Sequence, residues 1–239
     1  MRILPAMLLP TLLLLAAGPV QDRDPPPVRW PVLPAVAAAP AGFVPRGWAV
    51  EVQRSGDVDG DGIADVVMIL HQRAAANMIR STGFGVELLD SNPRLLVVAS
   101  GQRAGPYRLR LANHTLIPRW EQPTLDDPLG DVAEFELRRG AFSVPIHLFA
   151  NAGGWTMFGR SFTFRLVGER CVLIGFDEER TERNTGEVTA TSINYLTGIK
   201  VVTRDSVSGD APVRTSRNRL SRRPLLTIEQ VGDGIEFAP

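Results

Sequence analysis

The chain has 239 residues, 44% hydrophobic and 22% charged, a composition that supports a packed core and excludes intrinsic disorder. Its 26 basic residues balance 26 acidic ones, which removes the net positive field expected of a nucleic-acid binder or of a protein drawn to anionic membranes. A single cysteine, Cys171, excludes an intramolecular disulfide and a cysteine-based zinc cluster.

The chain opens with Met1-Arg2, an apolar core over residues 3–17, then Gly18 and Pro19. A short positive region followed by roughly 7–15 apolar residues and small residues is the secretory signal pattern. The core is shorter than the ~20 residues a spanning helix needs, so the mature protein is expected to have no transmembrane span. Cleavage is expected between Ala17 and Asp22, making residues 1–21 a signal peptide. No cysteine follows the apolar core, so no lipid anchor is expected there, and the destination is the periplasm or the exterior. Residues 22–42 are Pro/Ala-rich, with Pro25, Pro26, Pro27, Pro31, Pro34 and Pro40. Prolines fix φ and remove donors, so this stretch reads as an extended linker that Trp30 alone could dock. A single β-rich domain is expected over residues 43–239.

The next segment is β-like on both sides of an acidic loop. Trp48-Ala-Val-Glu-Val-Gln leads into Asp57-Val-Asp59-Gly-Asp61-Gly62-Ile63-Ala-Asp65, and Val66-Val-Met-Ile-Leu70 follows. Aspartates at loop positions 1, 3, 5 and 9 match the oxygen arrangement that calcium takes. Gly62 falls at position 6, where the chain turns sharply and a Cβ would clash. The expected ligands are Asp57, Asp59, Asp61, the backbone carbonyl of Ile63, and Asp65 directly or through water. Position 12 is Met68, where an EF-hand carries a bidentate glutamate, and the flanks are not amphipathic helices. The site is therefore a strand–loop–strand one. Four carboxylates packed together repel without a cation, so the ion is expected to complete the fold locally.

This loop resembles the calcium loops of FG-GAP and VCBS repeats, and those of dockerins. A longer resemblance is to a family of exported bacterial proteins with no assigned activity. It rests on Phe43-Val-Pro45-Arg-Gly47-Trp48, the strand Arg94-Leu-Leu-Val-Val98, the aromatic stretch 155–164, Asn194-Tyr-Leu-Thr-Gly-Ile-Lys200 and Arg223-Pro-Leu-Leu-Thr-Ile-Glu229. The resemblance implies export and calcium binding and carries no catalytic residues. Only one such loop is present, which does not support a propeller of repeated calcium blades.

Beyond Leu70, short alternating or apolar runs at 95–99, 107–111, 134–137, 142–149, 161–167, 170–176, 188–194 and 199–203 read as strands. Gly140 and Gly168-Glu169 sit at hairpin distance, and residues 74–80 have room for one or two helical turns. The fold class is mainly β, with antiparallel sheets in a sandwich or curled sheet and few short helices.

Candidate chemistry is sparse. Cys171 lies in an apolar run and reads as a small buried hydrophobe. His71, His114 and His147 lack metal-ligand spacing. Ser206-Val-Ser208-Gly-Asp210 lacks the first glycine of a nucleophile elbow. Asp126, Asp127 and Asp131 surround Pro128 and Gly130 and read as a turn. Trp155, Phe158, Phe162 and Phe164 read as core. Arg214, Arg217, Arg219, Arg222 and Arg223 read as a solvated connector whose functional version is contact with an anionic envelope polymer. The expected function is a binding or structural module of the cell envelope stabilised by one calcium ion, whose partner is such a polymer or another envelope protein. The competing class is a hydrolase of an envelope polysaccharide or peptide with a structural calcium.

Overall fold

Residues 66–70 read Val-Val-Met-Ile-Leu and residues 95–99 read Leu-Leu-Val-Val-Ala, with no polar position in either run. Successive side chains of a strand point to opposite sides of its sheet, so such runs need apolar cover on both faces. The computed structural model, which describes residues 24–210 and 212–239, shows what provides it. The expected signal peptide, residues 1–21, lies outside the described residues.

The strands in chain order are β1 (Val36–Ala37), β2 (Trp48–Gly56), β3 (Asp65–Gln72), β4 (Met78–Arg80), β5 (Leu88–Asp90), β6 (Arg94–Ser100) and β7 (Tyr107–Asn113). They continue with β8 (Glu136–Arg138), β9 (Ala141–Leu148), β10 (Thr156–Val167), β11 (Arg170–Glu182), β12 (Glu187–Asn194), β13 (Ile199–Ser206) and β14 (Arg214–Arg219). One short helix, α1 (Ile228–Val231), follows, with Thr227 and Gln230 forming its capping box. A five-stranded sheet has the order β1-β7-β6-β3-β2, and a seven-stranded sheet runs β14 to β8 in reverse sequence order. Strands β4 and β5 form a separate hairpin. All pairings between strands are antiparallel, and the fold is mainly β with few helices.

The two large sheets face each other across one core. Val67 and Ile69 of β3 and Leu96 and Val98 of β6 meet Phe142, Val144, Phe162, Phe164, Leu173 and Phe176 of the seven-stranded sheet. Period-two alternation in Phe162-x-Phe164-x-Leu166 puts all three on this face. Phe237 closes one end, with its ring centroid 5.5 Å from Phe162 and 5.5 Å from Phe176. The opposite face of the smaller sheet carries Val66, Met68, Leu70, Leu95, Val97 and Ala99, and it is covered by the N-terminal stretch.

That stretch is extended, as its prolines require, yet it is bound to the domain and does not run free as a spacer. Trp30 and Leu33 pack on the apolar face, and Trp30 stacks on His114 at a centroid distance of 4.4 Å. The Pro26 carbonyl accepts from Arg119 Nη1 at 2.8 Å, and β1 pairs with β7 through Val36↔Arg108 and Ala37↔Tyr107. Residues 74–80 form one helical turn, the 3-10 turn Ala75–Asn77, and then β4. A further expectation changes: the arginine-rich connector contains β14, an edge strand with every residue exposed, paired to β13.

A buried ion network ties the sheets together. Arg94 Nε donates to Glu51 Oε2 at 2.6 Å, and Nη1 donates to Asp127 Oδ1 at 2.7 Å. Its Nη2 serves the second oxygens of both carboxylates, at 2.8 and 2.7 Å. Asp127 belongs to the connection that reaches the larger sheet, where His147 N donates to the Pro128 carbonyl at 2.8 Å. His71 is buried beside this network, with Nδ1 3.5 Å from Glu51 and Nε2 3.1 Å from the Asn92 carbonyl. Burial alone would raise the Glu51 carboxyl, but hydrogen bonds and charge from Arg94 and His71 hold it at about 2.

Two outcomes follow for stability. Deleting residues 24–42 uncovers Met68, Leu70, Leu95 and Val97, and the melting temperature is expected to fall by roughly 10 °C or more, measured by calorimetry. Glu51 titrates lower in the folded state than its ordinary 4.5, so its contribution is present above that value and lost as pH falls towards about 2. Urea titrations across that window are expected to show wild type losing about 2–3 kcal/mol more than Glu51→Gln.

Candidate metal centre

The β2–β3 hairpin is closed by the acidic loop, and its backbone geometry comes from Asx-type bonds. Asp57 Oδ1 accepts from Gly60 N at 2.6 Å and Oδ2 from Gly62 N at 3.0 Å. Gly60 and Gly62 take φ of 86° and 79°, a region that a Cβ disfavours. Asp59 Oδ1 accepts from Asp61 N at 3.3 Å, and Asp61 Oδ1 accepts from Ile63 N at 2.7 Å. These bonds curl the chain so that one carboxylate oxygen from each of Asp57, Asp59 and Asp61 lies within 4.8 Å of the others.

Asp65 is used differently from the other three. It is buried at 1% exposure, with Oδ2 accepting from Val58 N at 2.8 Å and Oδ1 from Gly101 N at 2.9 Å. Val58 is itself a core residue, at 1% exposure. The β6 exit must approach the loop closely here, because a Cβ on Gly101 would lie 2.3 Å from the Ala64 carbonyl oxygen. Asp65 is therefore the brace that fixes the loop to the core and to β6. It stands outside the group of gathered oxygens, although it was expected at position 9 of the ligand set. Ile63, expected to offer its carbonyl, is half-buried in the loop.

The carboxylates experience opposite fields. The amides of Gly60 and Gly62 hold Asp57 below the usual carboxylate range. Burial pushes Asp65 up, the amides of Val58 and Gly101 offset this only in part, and the charges of Asp59 and Asp61 push in the same direction as burial.

The triad could hold a metal ion. Its donor set is all oxygen, which suits hard cations such as calcium or magnesium over zinc or copper. Calcium binds oxygens at about 2.3–2.6 Å, so two of its ligands stand at most ~5 Å apart, and the triad's spacing fits. It is the only such group of three or more histidine, cysteine or acidic side chains among the described residues.

The other sequence candidates are dispersed. Burial, with the charge of Glu229 added, pushes the Cys171 thiol up to about 12, which suppresses its reactivity. His71 is in the Arg94 network, His114 stacks on Trp30, and His147 packs against Gly130, where a Cβ would meet its ring at 2.2 Å. Phe158, Phe162 and Phe164 are core, while Trp155 is 67% exposed. Asp131 caps a 3-10 turn, Val132–Glu134, as the turn reading implies, but Asp127 pairs with Arg94.

Sequence reading missed an open groove of about 430 Å³ on the larger sheet, lined by Glu134, His147, Ser161, Asp177, Glu179 and Ser192 among others. The signal was the charged run after Phe176, but the face each residue occupies depends on a bulge near Thr163 that sequence does not disclose. Also missed were Ser100, Gly101 and Arg110, which strand pairing brings to the loop. No family model, curated protein or solved structure matches the chain.

Asp65→Asn replaces one acceptor oxygen with a donor that opposes a backbone N–H. Denaturant titration is expected to show a loss of about 2–3 kcal/mol, close to that of Asp65→Ala. A loss under about 0.5 kcal/mol would contradict the bracing role.

Proposed function

We propose that this chain is an exported binding or structural module of the cell envelope, whose β2–β3 hairpin is locked by one calcium ion. The observation that carries the reading is the convergence of Asp57, Asp59 and Asp61 oxygens within 4.8 Å. Asp57, Asp59 and Asp61 supply the carboxylates, the Ile63 carbonyl adds a fourth donor, and Asp65 holds the loop in place, with the option of a water-mediated contact. The ion's chemistry is electrostatic: it neutralises clustered charge and stiffens a turn. Export is supported by the signal-like residues 1–21 and delivers the protein to a compartment where calcium is abundant enough for an open, surface-exposed site. Arg214, Arg217 and Arg219, exposed along β14, support a salt-sensitive contact with an anionic envelope polymer.

The test is thermal melting of the whole protein in excess chelator and then in millimolar calcium. At a calcium concentration 100 times the dissociation constant, the stabilisation is about 2.7 kcal/mol, which raises the melting temperature by roughly 5–10 °C. Asp61→Ala, a variant at an exposed position, should abolish the shift, while the loss of its bond from Ile63 N lowers the chelated melting temperature by only a few degrees. An equal melting temperature with and without calcium would reduce the loop to a solvated turn.

A further inference from the structure

Among the described residues, Asp59 is the one member of the triad with a basic side chain beside it. Ser100 Oγ donates to Asp59 Oδ2 at 2.9 Å, and Arg110 Nη1 lies 3.5 Å from that same oxygen. Arg110 comes from β7, and only 11% of its side chain is exposed. Nη1 also donates to Ser100 Oγ at 3.3 Å. Nη2 donates to the Gly168 carbonyl and lies 3.5 Å from the Glu169 carboxylate. Residues 168 and 169 form the β10–β11 turn of the other sheet. Arg110 Nε is buried and has no partner among the described residues.

A buried guanidinium with an unpaired donor is costly, so the position must be held by what its other nitrogens touch. Those contacts are one acidic-loop carboxylate on one side and the edge of the opposing sheet on the other. We infer that Arg110 is the resident counter-cation of the acidic loop, and that a metal ion entering the loop competes with it for Asp59 Oδ2. The inference rests on the calcium reading above and adds what sets the ion's affinity. A divalent ion bound to Asp59 places two positive charges within several ångströms of the guanidinium, in a partly buried place where screening is weak. Ser100, a neutral donor, stays compatible with the ion. The link from Asp59 through Arg110 to the β10–β11 turn is thus strong in the metal-free loop and weak in the loaded one. By linkage, anything that strengthens this contact lowers calcium affinity, and the reverse also holds.

Calorimetric titration of the whole protein with calcium tests this. Arg110→Gln is expected to bind about tenfold more tightly than wild type, and Arg110→Lys within about threefold of it, because lysine keeps the charge. In chelator the order inverts: Arg110→Gln melts below wild type, since its acidic loop has lost its neutralising partner. Equal or weaker calcium binding by Arg110→Gln overturns the competition while leaving the calcium reading intact. Absence of calcium heat in all three proteins overturns both. Should Arg110→Gln fail to fold, the wild-type protein decides the matter. The nitrogen resonance of Arg110 Nε, assigned by its loss in Arg110→Lys, is expected to move during the titration and saturate with the binding isotherm. A resonance that stays fixed through saturation overturns the inference.

Discussion

Two adjacent strands that can show neither face to water set the terms for the whole molecule. β3 and β6 are buried along nearly their whole length, with Val66 to Leu70 and Val97 to Ala99 fully shielded. A two-layer sandwich covers only one face of each sheet, so a third layer is required. The chain supplies it from its proline-rich stretch. Trp30, Leu33 and Ala37 close the outer face of the small sheet, while Phe162, Phe164 and Phe176 close the inner one. Prolines suit this task, because a strap that pairs through a two-residue strand needs few backbone donors and loses little entropy on docking. At the other end of the sequence, Ile228, Val231 and Phe237 close the open side of the sandwich in the same way.

The acidic loop takes its shape from this frame. Val58 inserts into the core and Asp65 answers two backbone amides, so both ends of the loop are anchored before any ion is considered. The carboxylates are therefore gathered by the hairpin itself. Repulsion among them is relieved by protein groups: amides at Asp57 and Asp65, and Ser100 and Arg110 at Asp59.

Sequence patterns disclosed the elements whose chemistry is local. Phe162-x-Phe164-x-Leu166 alternates because its strand has one wet face, and Asp-x-Asp-x-Asp-Gly curls because Asx bonds and glycine make it curl. Elements whose identity depends on distant partners stayed hidden. The strap read as a linker because proline masks a strand, although the unbroken apolar runs of β3 and β6 were a signal that a further cover existed. β14 read as a connector because Arg-Thr-Ser-Arg-Asn-Arg has no apolar residue, and an edge strand wet on both faces needs none. The spacing of Asp65 is that of a ligand, but its bond to Gly101, just past the end of β6 and 36 residues away, has no spacing to read. Arg94, Glu51 and Asp127 gave no warning at all, since a network assembled from three separate segments has no spacing to read.

β14 also bears on how copies of this protein behave at high concentration. A chain whose charges sum to zero has no global repulsion to keep molecules apart. A free sheet edge is the place where such a chain would begin to stack into fibres. Here the terminal strand carries Arg214, Arg217 and Arg219, so two copies meeting edge to edge in an antiparallel register would set guanidinium against guanidinium. The edge therefore works as a guard, hostile to a second copy of itself.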